Sequence, residues 1–260
     1  MEERPSKLFK YQSVSARTLE NLKTCTLWLS APDAFNDPFD CAVDVVLKEL
    51  DDADIVRVFE FINQDTSMTD DLKAKLAIHG APSPQHRQIV ERSIGADAMR
   101  PKIEMLRGLY GIACLSAKND DLLMWSHYAD GHRGFCLEFD TSSAPFDKAE
   151  PVVYRDAIPE VNVVDILDGN TTGPSLVEVA YRTKYTCWSY EAEWRLVHGR
   201  ENVTCTYPAE ALTGVYLGAS MPEGQKELVC QLLLGSSAQI YEMHRGDGGF
   251  TVEPSVRARA

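Results

Sequence analysis

Two carboxylates and a guanidinium group alternate along residues 188–195, which read Trp-Ser-Tyr-Glu-Ala-Glu-Trp-Arg. We predict a β-strand here, in which side chains point alternately to the two faces, so that Glu191, Glu193 and Arg195 share one face. Like charges on one face repel each other, and the pair is tolerable only beside Arg195 or another cation. The face is either the solvated side of an edge strand or a carboxylate pair that accepts hydrogen bonds from a ribose or binds a metal ion. The aromatic face opposite indicates a well-packed strand and favours the functional alternative.

A second polar group lies in residues 31–40, where proline and Asx residues exclude regular structure. Asn36, Asp37 and Asp40 follow a predicted strand that ends at Ser30. These three side chains either cap their own backbone or border a ligand, since binding loops commonly follow strand ends.

A third group lies in a short helix predicted over residues 122–129, with an Asx residue before it as N-cap and Gly131 as its end. At helical spacing Trp125 falls on the apolar face and belongs to the core. His127 and Tyr128 fall outside that face and either border a cleft or lie at the plain surface.

The elements that must position these groups indicate an α+β chain. Strands are predicted over residues 7–11, 26–30, 111–116, 134–139 and 213–218, with helices over 16–24, 175–182 and 222–234. Asp247-Gly248 between two apolar runs predicts a final hairpin of residues 239–243 and 250–253. Helix-forming residues dominate about 51–108, which we interpret as a helical insertion in one domain spanning 1–260.

The net charge and the distribution of apolar residues make some kinds of binding partner less favourable. The 260 residues carry a formal net charge of -13, which repels phosphate backbones and disfavours generic nucleic-acid binding. A small basic pocket can still hold a nucleotide, because the local field matters more than the total charge. The N-terminal residues show no apolar signal segment, and no stretch approaches the roughly 18 to 20 apolar residues of a membrane span. We therefore expect a soluble, cytoplasmic protein without membrane contact.

Seven cysteines are present, and no Cys-x-x-Cys pair occurs among them. Most lie among apolar residues, so we expect reduced, buried thiols and no readable zinc site.

Several segments together resemble a bacterial and phage family known as domain of unknown function 2971. They are residues 8–11, 27–30, 35–40, 123–128 with Gly134, 188–195 and 215–218. The resemblance covers nearly the whole chain outside the predicted insertion, but the family's name carries no activity.

The order of a short strand, a helix, a strand with serine and a late strand with Glu-x-Glu is similar to that of ADP-ribosyltransferases. This resemblance implies mixed, mostly antiparallel sheets around a cleft that holds nicotinamide adenine dinucleotide (NAD) as substrate. It implies that Glu193 hydrogen-bonds the nicotinamide ribose and stabilises the developing oxocarbenium charge. It also implies that Glu191 orients or deprotonates the acceptor of the ADP-ribose group.

The same resemblance assigns cofactor-binding positions. Lys10 stands where that fold has His or Arg, and it lacks the flat ring of His and the fork of Arg. Ser30 stands where the fold has Ser or Tyr, and Tyr11 or Tyr128 could stack on nicotinamide. The predicted set is completed by Asn36, Asp37, Trp125, His127 and Arg195.

The leading hypothesis is an NAD-consuming ADP-ribosyltransferase-like enzyme that transfers or hydrolyses ADP-ribose, acting as a bacterial toxin or in phage defence. It predicts a nucleotide ligand, an antitoxin or target macromolecule as partner, and no metal. Two alternatives stay open. One is a non-catalytic ligand-sensing or partner-binding module. The other is a metal-dependent hydrolase or nuclease in which Asp37, Asp40, Glu191 and Glu193 bind magnesium or manganese.

Overall fold

The computed structural model describes residues 3–46, 50–63, 81–94, 108–162 and 176–257. The chain forms two compact units. The first unit comprises Met1–Pro38, Leu109–Asp156 and Lys184–Ala260, and the second comprises Phe39–Gly108 and Ala157–Thr183.

The described part of the chain contains both helices and strands, and several strands follow one another directly, as in α+β proteins. The helices are α1 Ala16–Lys23, α2 Asp52–Asn63, α3 Pro84–Ile94, α4 Leu122–Tyr128, α5 Leu176–Arg182 and α6 Glu223–Leu232. The strands are β1 Lys7–Gln12, β2 Thr26–Leu29, β3 Asp44–Val46, β4 Gly111–Ser116, β5 Phe135–Asp140, β6 Glu150–Pro151, β7 Val153–Arg155, β8 Glu160–Asn162, β9 Thr183–Tyr185, β10 Glu193–His198, β11 Val203–Thr206, β12 Leu212–Leu217, β13 Gln239–Arg245 and β14 Val252–Val256.

The first unit is built on an eight-stranded sheet in the order β14-β13-β12-β5-β1-β4-β10-β6. Neighbouring strands are antiparallel except β12 and β13, which run parallel. Helix α6 connects that parallel pair, and β13 and β14 form the predicted hairpin. The predictions of an α+β class and of a mostly antiparallel sheet are therefore confirmed.

Side chains at neighbouring positions of the central strands point to opposite faces of the sheet and belong to two different apolar clusters. Leu8 of β1 packs with Leu137 and Phe139 in the larger cluster, whereas Phe9 and Tyr11 belong to the smaller one. Side chains two residues apart on a strand lie on the same face. Lys10 therefore continues the face of Leu8 with a charged side chain, and the apolar pattern of β1 ends there.

The sheet opens between β1 and β4. β1 pairs with β5 from Lys7 to Gln12, and β4 pairs with β10 along its whole length. Between β1 and β4 the register is the single pair of Phe9 opposite Ser116. The smaller sheet of β2 and β11 lies beside this opening, because Ser30 forms a backbone bridge with Ile112 of β4.

The second unit contains parallel strands β3 and β8 and helices α2, α3 and α5. The rings of Phe59 in α2 and His86 in α3 meet edge to face at 5.3 Å between centroids, and the side chains of Ile55 and Val90 are buried. Helices α2 and α3 lie within the predicted helical insertion of about 51–108, of which the structure describes residues 51–63, 81–94 and 108.

All seven cysteines are reduced thiols, but only Cys41 and Cys136 are buried, whereas four are partly buried and Cys187 is exposed. In the ranges given above, no helix combines the length and the apolar content needed to cross a bilayer.

Candidate functional site

The two predicted catalytic glutamates lie on either side of a sharp change in backbone direction. Residues Thr186–Glu191 form a 3-10 helix, and β10 begins only at Glu193. Ala192 between them has φ 43° and ψ 53°, in the left-handed region that few residues other than glycine adopt. The prediction of one continuous strand over residues 188–195 is therefore wrong, because the chain turns at Ala192 before it enters the sheet.

Hydrogen bonds to β4 hold this turn in place. The hydroxyl of Ser116 donates to the carbonyl oxygen of Glu191 at 2.6 Å, and the amide of Ala117 donates to the carbonyl of Ala192 at 2.9 Å. Because the backbone is fixed on both sides of Ala192, the two glutamate side chains have defined directions.

A buried lysine joins the two carboxylates. Lys184 Nζ lies 2.5 Å from Glu191 Oε2 and 2.9 Å from Glu193 Oε2. Its ammonium group also lies 5.2 Å from the ring centre of Trp188, within range of a cation–π contact. A single ammonium therefore neutralises part of the charge on both acids.

Arg195 completes the charge balance at Glu193. Its Nε donates to Glu193 Oε1 at 2.7 Å and its Nη2 to Glu193 Oε2 at 3.1 Å, a two-point contact that fixes the carboxylate plane. Two cations face two anions here, and all four side chains are at most 5% exposed. Removing one member of such a group leaves a buried charge unbalanced, which costs about 3–5 kcal/mol in comparable sites.

Tyrosine hydroxyls complete the network. Tyr128 donates to Glu191 Oε1 at 2.6 Å, and Asn36 Nδ2 donates to the Tyr128 hydroxyl at 3.4 Å. Tyr154 of β7 accepts the amide hydrogen bond of Glu193 at 2.8 Å. The structure thus brings together five predicted residues: Asn36, Tyr128, Glu191, Glu193 and Arg195.

The two acids differ in proton affinity. Burial raises the pKa of Glu191 above its ordinary value, and the charge of Lys184 only partly opposes that effect. Burial also acts on Glu193, but the charges of Arg195 and Lys184 outweigh it and lower its pKa to about 2. Glu193 is therefore an anion at neutral pH, and Glu191 is the acid of the pair that binds a proton more readily.

A cleft of about 590 Å³ lies where β1 and β4 separate. Lys10 and Ser30 both line it, together with Phe35 and Cys114. The ammonium of Lys10 donates to the carbonyl of Cys114 at 3.1 Å, and the guanidinium of Arg195 lies 5.7 Å from the ring centre of Phe35. Phe35 and Cys114 thus connect the cleft with the ion cluster, although Glu193 itself is buried and does not line the cleft.

Burial lowers the pKa of Lys10, and the charges of nearby groups, Glu193 among them, act in the opposite direction. The charge of Glu193 therefore reaches Lys10, the predicted cofactor-binding residue in the cleft.

The other predicted residues occupy different surroundings. Trp125 is fully buried and its Nε1 donates to the carbonyl of Asn119, which gives it a packing role. Tyr11 is also buried, packs edge to face on Trp125 at 5.2 Å and donates to the carbonyl of Lys118. His127 is exposed, with its ring 6.5 Å from that of Tyr190, and Asp37 is half-buried.

The metal-site hypothesis combined acids that the structure places in both units. Glu191, Glu193 and Asp37 belong to the first unit, and Asp40 belongs to the second, where it is buried beside Cys41. Across the part of the chain that the structure describes, no group of three or more His, Cys, Asp or Glu side chains is arranged to hold a metal ion. Two cations already contact the carboxylates of Glu191 and Glu193.

Sequence reasoning missed Lys184, Tyr154 and Ser116. Lys184 follows α5 as one basic residue in a short mixed run and has no periodic pattern of its own. The signal that pointed to it was indirect, since two acids and one arginine leave an unbalanced negative charge. That need for a further cation is met by Lys184.

Comparison with known proteins identifies the segment that contains this site. Residues 124–196 match the family model described as "Protein of unknown function (DUF2971)". No curated protein and no solved structure matches the chain. The matched segment begins in α4, three residues before the exposed histidine at 127, and ends in β10 just after Arg195. The predicted family resemblance is confirmed for this segment, which holds Tyr128, Lys184 and both glutamates.

Proposed function

We propose that the first unit binds NAD in the cleft between β1 and β4 and breaks the bond between nicotinamide and ribose, as an ADP-ribosyltransferase-like enzyme. The observation that carries this proposal is that Lys10 and Ser30 line one cleft and that the charge of Glu193 acts on Lys10. The sequence-based hypothesis assigned those three residues to one substrate.

The chemistry follows from the charge of Glu193. As the glycosidic bond breaks, its electron pair leaves with nicotinamide and positive charge develops on the ribose ring. A carboxylate with a pKa of about 2 is ionised at neutral pH, and a fixed anion next to developing positive charge lowers the barrier. Because Glu193 is buried and does not line the cleft, substrate binding has to move the side chains that separate it from the cleft. Arg195 and Lys184 hold that anion in one orientation.

Glu191 supplies the proton acceptor. An acceptor hydroxyl or a water molecule attacks the ribose carbon and releases a proton, and Glu191, whose pKa is raised, takes that proton. The products are nicotinamide and either ADP-ribosylated acceptor or free ADP-ribose. Because Tyr128 and Lys184 contact Glu191, substrate binding has to move at least one of them to expose this carboxylate.

The direct test is to incubate the protein with NAD and to measure the release of nicotinamide by chromatography. Wild-type protein should release nicotinamide, and Glu193→Gln should lower the rate by about 100-fold, in line with the loss of one electrostatic group from a catalytic site. Glu138→Gln is the matched control, because Glu138 is also a buried glutamate in the same sheet but contacts different residues. The proposal would be overturned if the wild type released no nicotinamide, or if wild type and Glu193→Gln released it at equal rates.

The same proposal extends to a role as a bacterial toxin or phage-defence effector with an antitoxin or target macromolecule as partner. Expression in bacteria should then slow growth in the wild type and not in Glu193→Gln. Equal growth with both chains, at matched protein levels, argues against that role.

The closed state of the ion cluster favours a second candidate, a non-catalytic module that senses the nucleotide. Both carboxylates are at most 3% exposed and each is bonded to a buried cation. This candidate predicts that NAD binds, measured by calorimetry, while nicotinamide release is absent. It also predicts that Glu193→Gln lowers the thermal midpoint with little effect on NAD affinity.

A further inference from the structure

One side of the cleft contains groups that the proposed reaction leaves unused. Arg17 and Asn21 of α1 and Trp28 of β2 line the cleft together with Lys10 and Ser30. The guanidinium carbon of Arg17 lies 4.9 Å from the ring centre of Trp28. A guanidinium held against an indole ring keeps its N–H fork available for an oxyanion, because the contact uses the π-face and not the donors.

The lining is positive within a strongly acidic protein. Its charged residues are Lys10 and Arg17, and no aspartate or glutamate is among the lining residues that the structure describes. The whole chain has a net charge of -13. An anion approaching the protein is therefore repelled by most of the surface and attracted here, since a cleft lined by one sign of charge concentrates the field.

Two amides in the first turn of α1 are already bonded within the helix. Ser15 caps the helix by accepting from the amide of Thr18, and the amide of Leu19 donates to the carbonyl of Ser15. The charged groups that can hold an anion in the cleft are the side chains of Lys10 and Arg17. Hydroxyl and amide side chains beside them, those of Ser30 and Asn21, suit the sugar of the same ligand.

We propose that Arg17 and Lys10 bind the phosphate groups of a nucleoside diphosphate moiety, with Trp28 holding the Arg17 guanidinium in place. Two cations in one cleft match two phosphoryl groups, and about 590 Å³ lies within the size range of sites for ligands of this class. This inference rests on the proposed function, since it names the part of NAD that this side of the cleft recognises. It adds Arg17 and Trp28 as residues that determine ligand affinity.

Calorimetric titration with ADP-ribose and with adenosine tests the assignment. The wild type should bind ADP-ribose at least about tenfold more tightly than adenosine, because only the first carries phosphates. Arg17→Gln should weaken ADP-ribose binding by about tenfold or more and leave adenosine binding within about twofold. Arg17 is exposed on α1, so the substitution leaves the core intact.

Arg133→Gln is the control for net charge. Arg133 is an exposed arginine of the same unit that pairs with Asp130 and is not part of the cleft lining. Equal loss of ADP-ribose affinity with Arg133→Gln and Arg17→Gln would overturn the inference. No binding of ADP-ribose by the wild type, or equal binding of adenosine, would overturn it as well.

Trp28 gives a second, independent readout. Trp28→Phe keeps an aromatic face under Arg17 and should keep most of the ADP-ribose affinity, whereas Trp28→Ala should lower it about as much as Arg17→Gln. Equal affinities of the two Trp28 variants would contradict the positioning role of the indole.

The outcomes separate this inference from the reaction. ADP-ribose binding that depends on Arg17, without nicotinamide release from NAD, supports the phosphate site and overturns the enzymatic proposal. If the wild type releases nicotinamide, and Arg17→Gln changes neither the rate nor the Michaelis constant for NAD, the enzymatic proposal is supported and the phosphate site is overturned.

Discussion

The first unit buries glutamate side chains in two places and balances their charge differently. At Glu138 in β5, a single carboxylate accepts hydrogen bonds from Lys7 at 2.6 Å, Thr213 at 2.7 Å and Tyr216 at 2.5 Å. At the candidate site, Glu191 and Glu193 share one lysine, and only Glu193 has a guanidinium of its own.

The difference appears in the proton affinities. Burial alone would raise the pKa of Glu138, but bonds from Lys7, Tyr216 and Thr213 lower it below the ordinary value. In the pair, the pKa of Glu191 is raised and that of Glu193 is lowered. Two acids whose pKa values are driven apart are typical of sites where one group stays charged and the other exchanges a proton. A single acid with three donors is sufficient as a structural element.

The largest expected effect separates the two lysines. Lys184 is 5% exposed and contacts both acids, whereas Lys7 is 51% exposed and contacts Glu138. Lys184→Met should lower the free energy of unfolding by about 3–5 kcal/mol, because it leaves two carboxylates with one buried cation. Lys7→Met should lower it by about 1 kcal/mol or less, because the half-exposed Lys7 side chain makes a pair that water screens, and two hydroxyls still donate to Glu138. Urea denaturation at neutral pH measures both changes.

Lys184→Arg is the conservative control for this comparison. It keeps the charge and should recover part of the lost stability. Equal destabilisation by Lys184→Met and Lys7→Met would mean that the pair is no more dependent on its cation than Glu138 is.

A smaller effect distinguishes the tyrosine partners. Tyr216 is buried and donates to Glu138, whereas Tyr128 is half-buried and donates to Glu191. Tyr216→Phe should lower the free energy of unfolding by about 2 kcal/mol, since no water replaces a buried hydrogen bond to a charged group. Tyr128→Phe should lower it by about 1 kcal/mol or less, because Tyr128 is only half-buried and Lys184 still donates to Glu191. A larger loss for Tyr128→Phe than for Tyr216→Phe in urea denaturation would contradict this ranking of the two hydroxyls.

The smallest expected effect concerns pH. Glu191 has a folded pKa above its ordinary value of 4.5, so just above that pH the folded chain binds more protons than the unfolded chain, and this group's contribution to stability falls as pH rises. Glu138 has a lowered folded pKa, so its contribution is present above the ordinary value and is lost as pH falls below it.

Urea denaturation between about pH 3 and 7 measures both contributions. With Glu191→Gln, the free energy of unfolding should fall less as pH rises above the ordinary glutamate pKa. With Glu138→Gln, it should fall less as pH drops below that pKa. The same change of shape in both variants would contradict the opposite pKa shifts.

Most of the fold of the first unit could be predicted because its strands carry strong local signals. β5 and β12 are almost continuous apolar runs between turn residues, and the Asp247-Gly248 turn fixed the pairing of β13 with β14. The parallel pairing of β12 with β13 had no such local signal, because it depends on how α6 returns the chain to the sheet.

The site could be predicted only in part. Glu191, Glu193 and Arg195 were found because their charges lie close together in the sequence. Lys184 was not found because burying a lysine is unfavourable by itself and becomes favourable only after folding places two acids beside it. Helical spacing predicted the core position of Trp125, whereas that of Tyr11 depends on packing against residues of α4, β5 and β12, which its aromatic character alone does not indicate.

The left-handed conformation of Ala192 determines how this site can be recognised or rebuilt. On an ordinary strand, carboxylates at alternate positions stand about 6 to 7 Å apart along one face and would each need their own counter-ion. Here the turn at Ala192 directs both toward a single ammonium. A designer who copied the Glu-Ala-Glu spacing onto a plain strand would obtain two repelling surface charges. Transferring the site requires the 3-10 turn, the Ala192 backbone conformation and the lysine together.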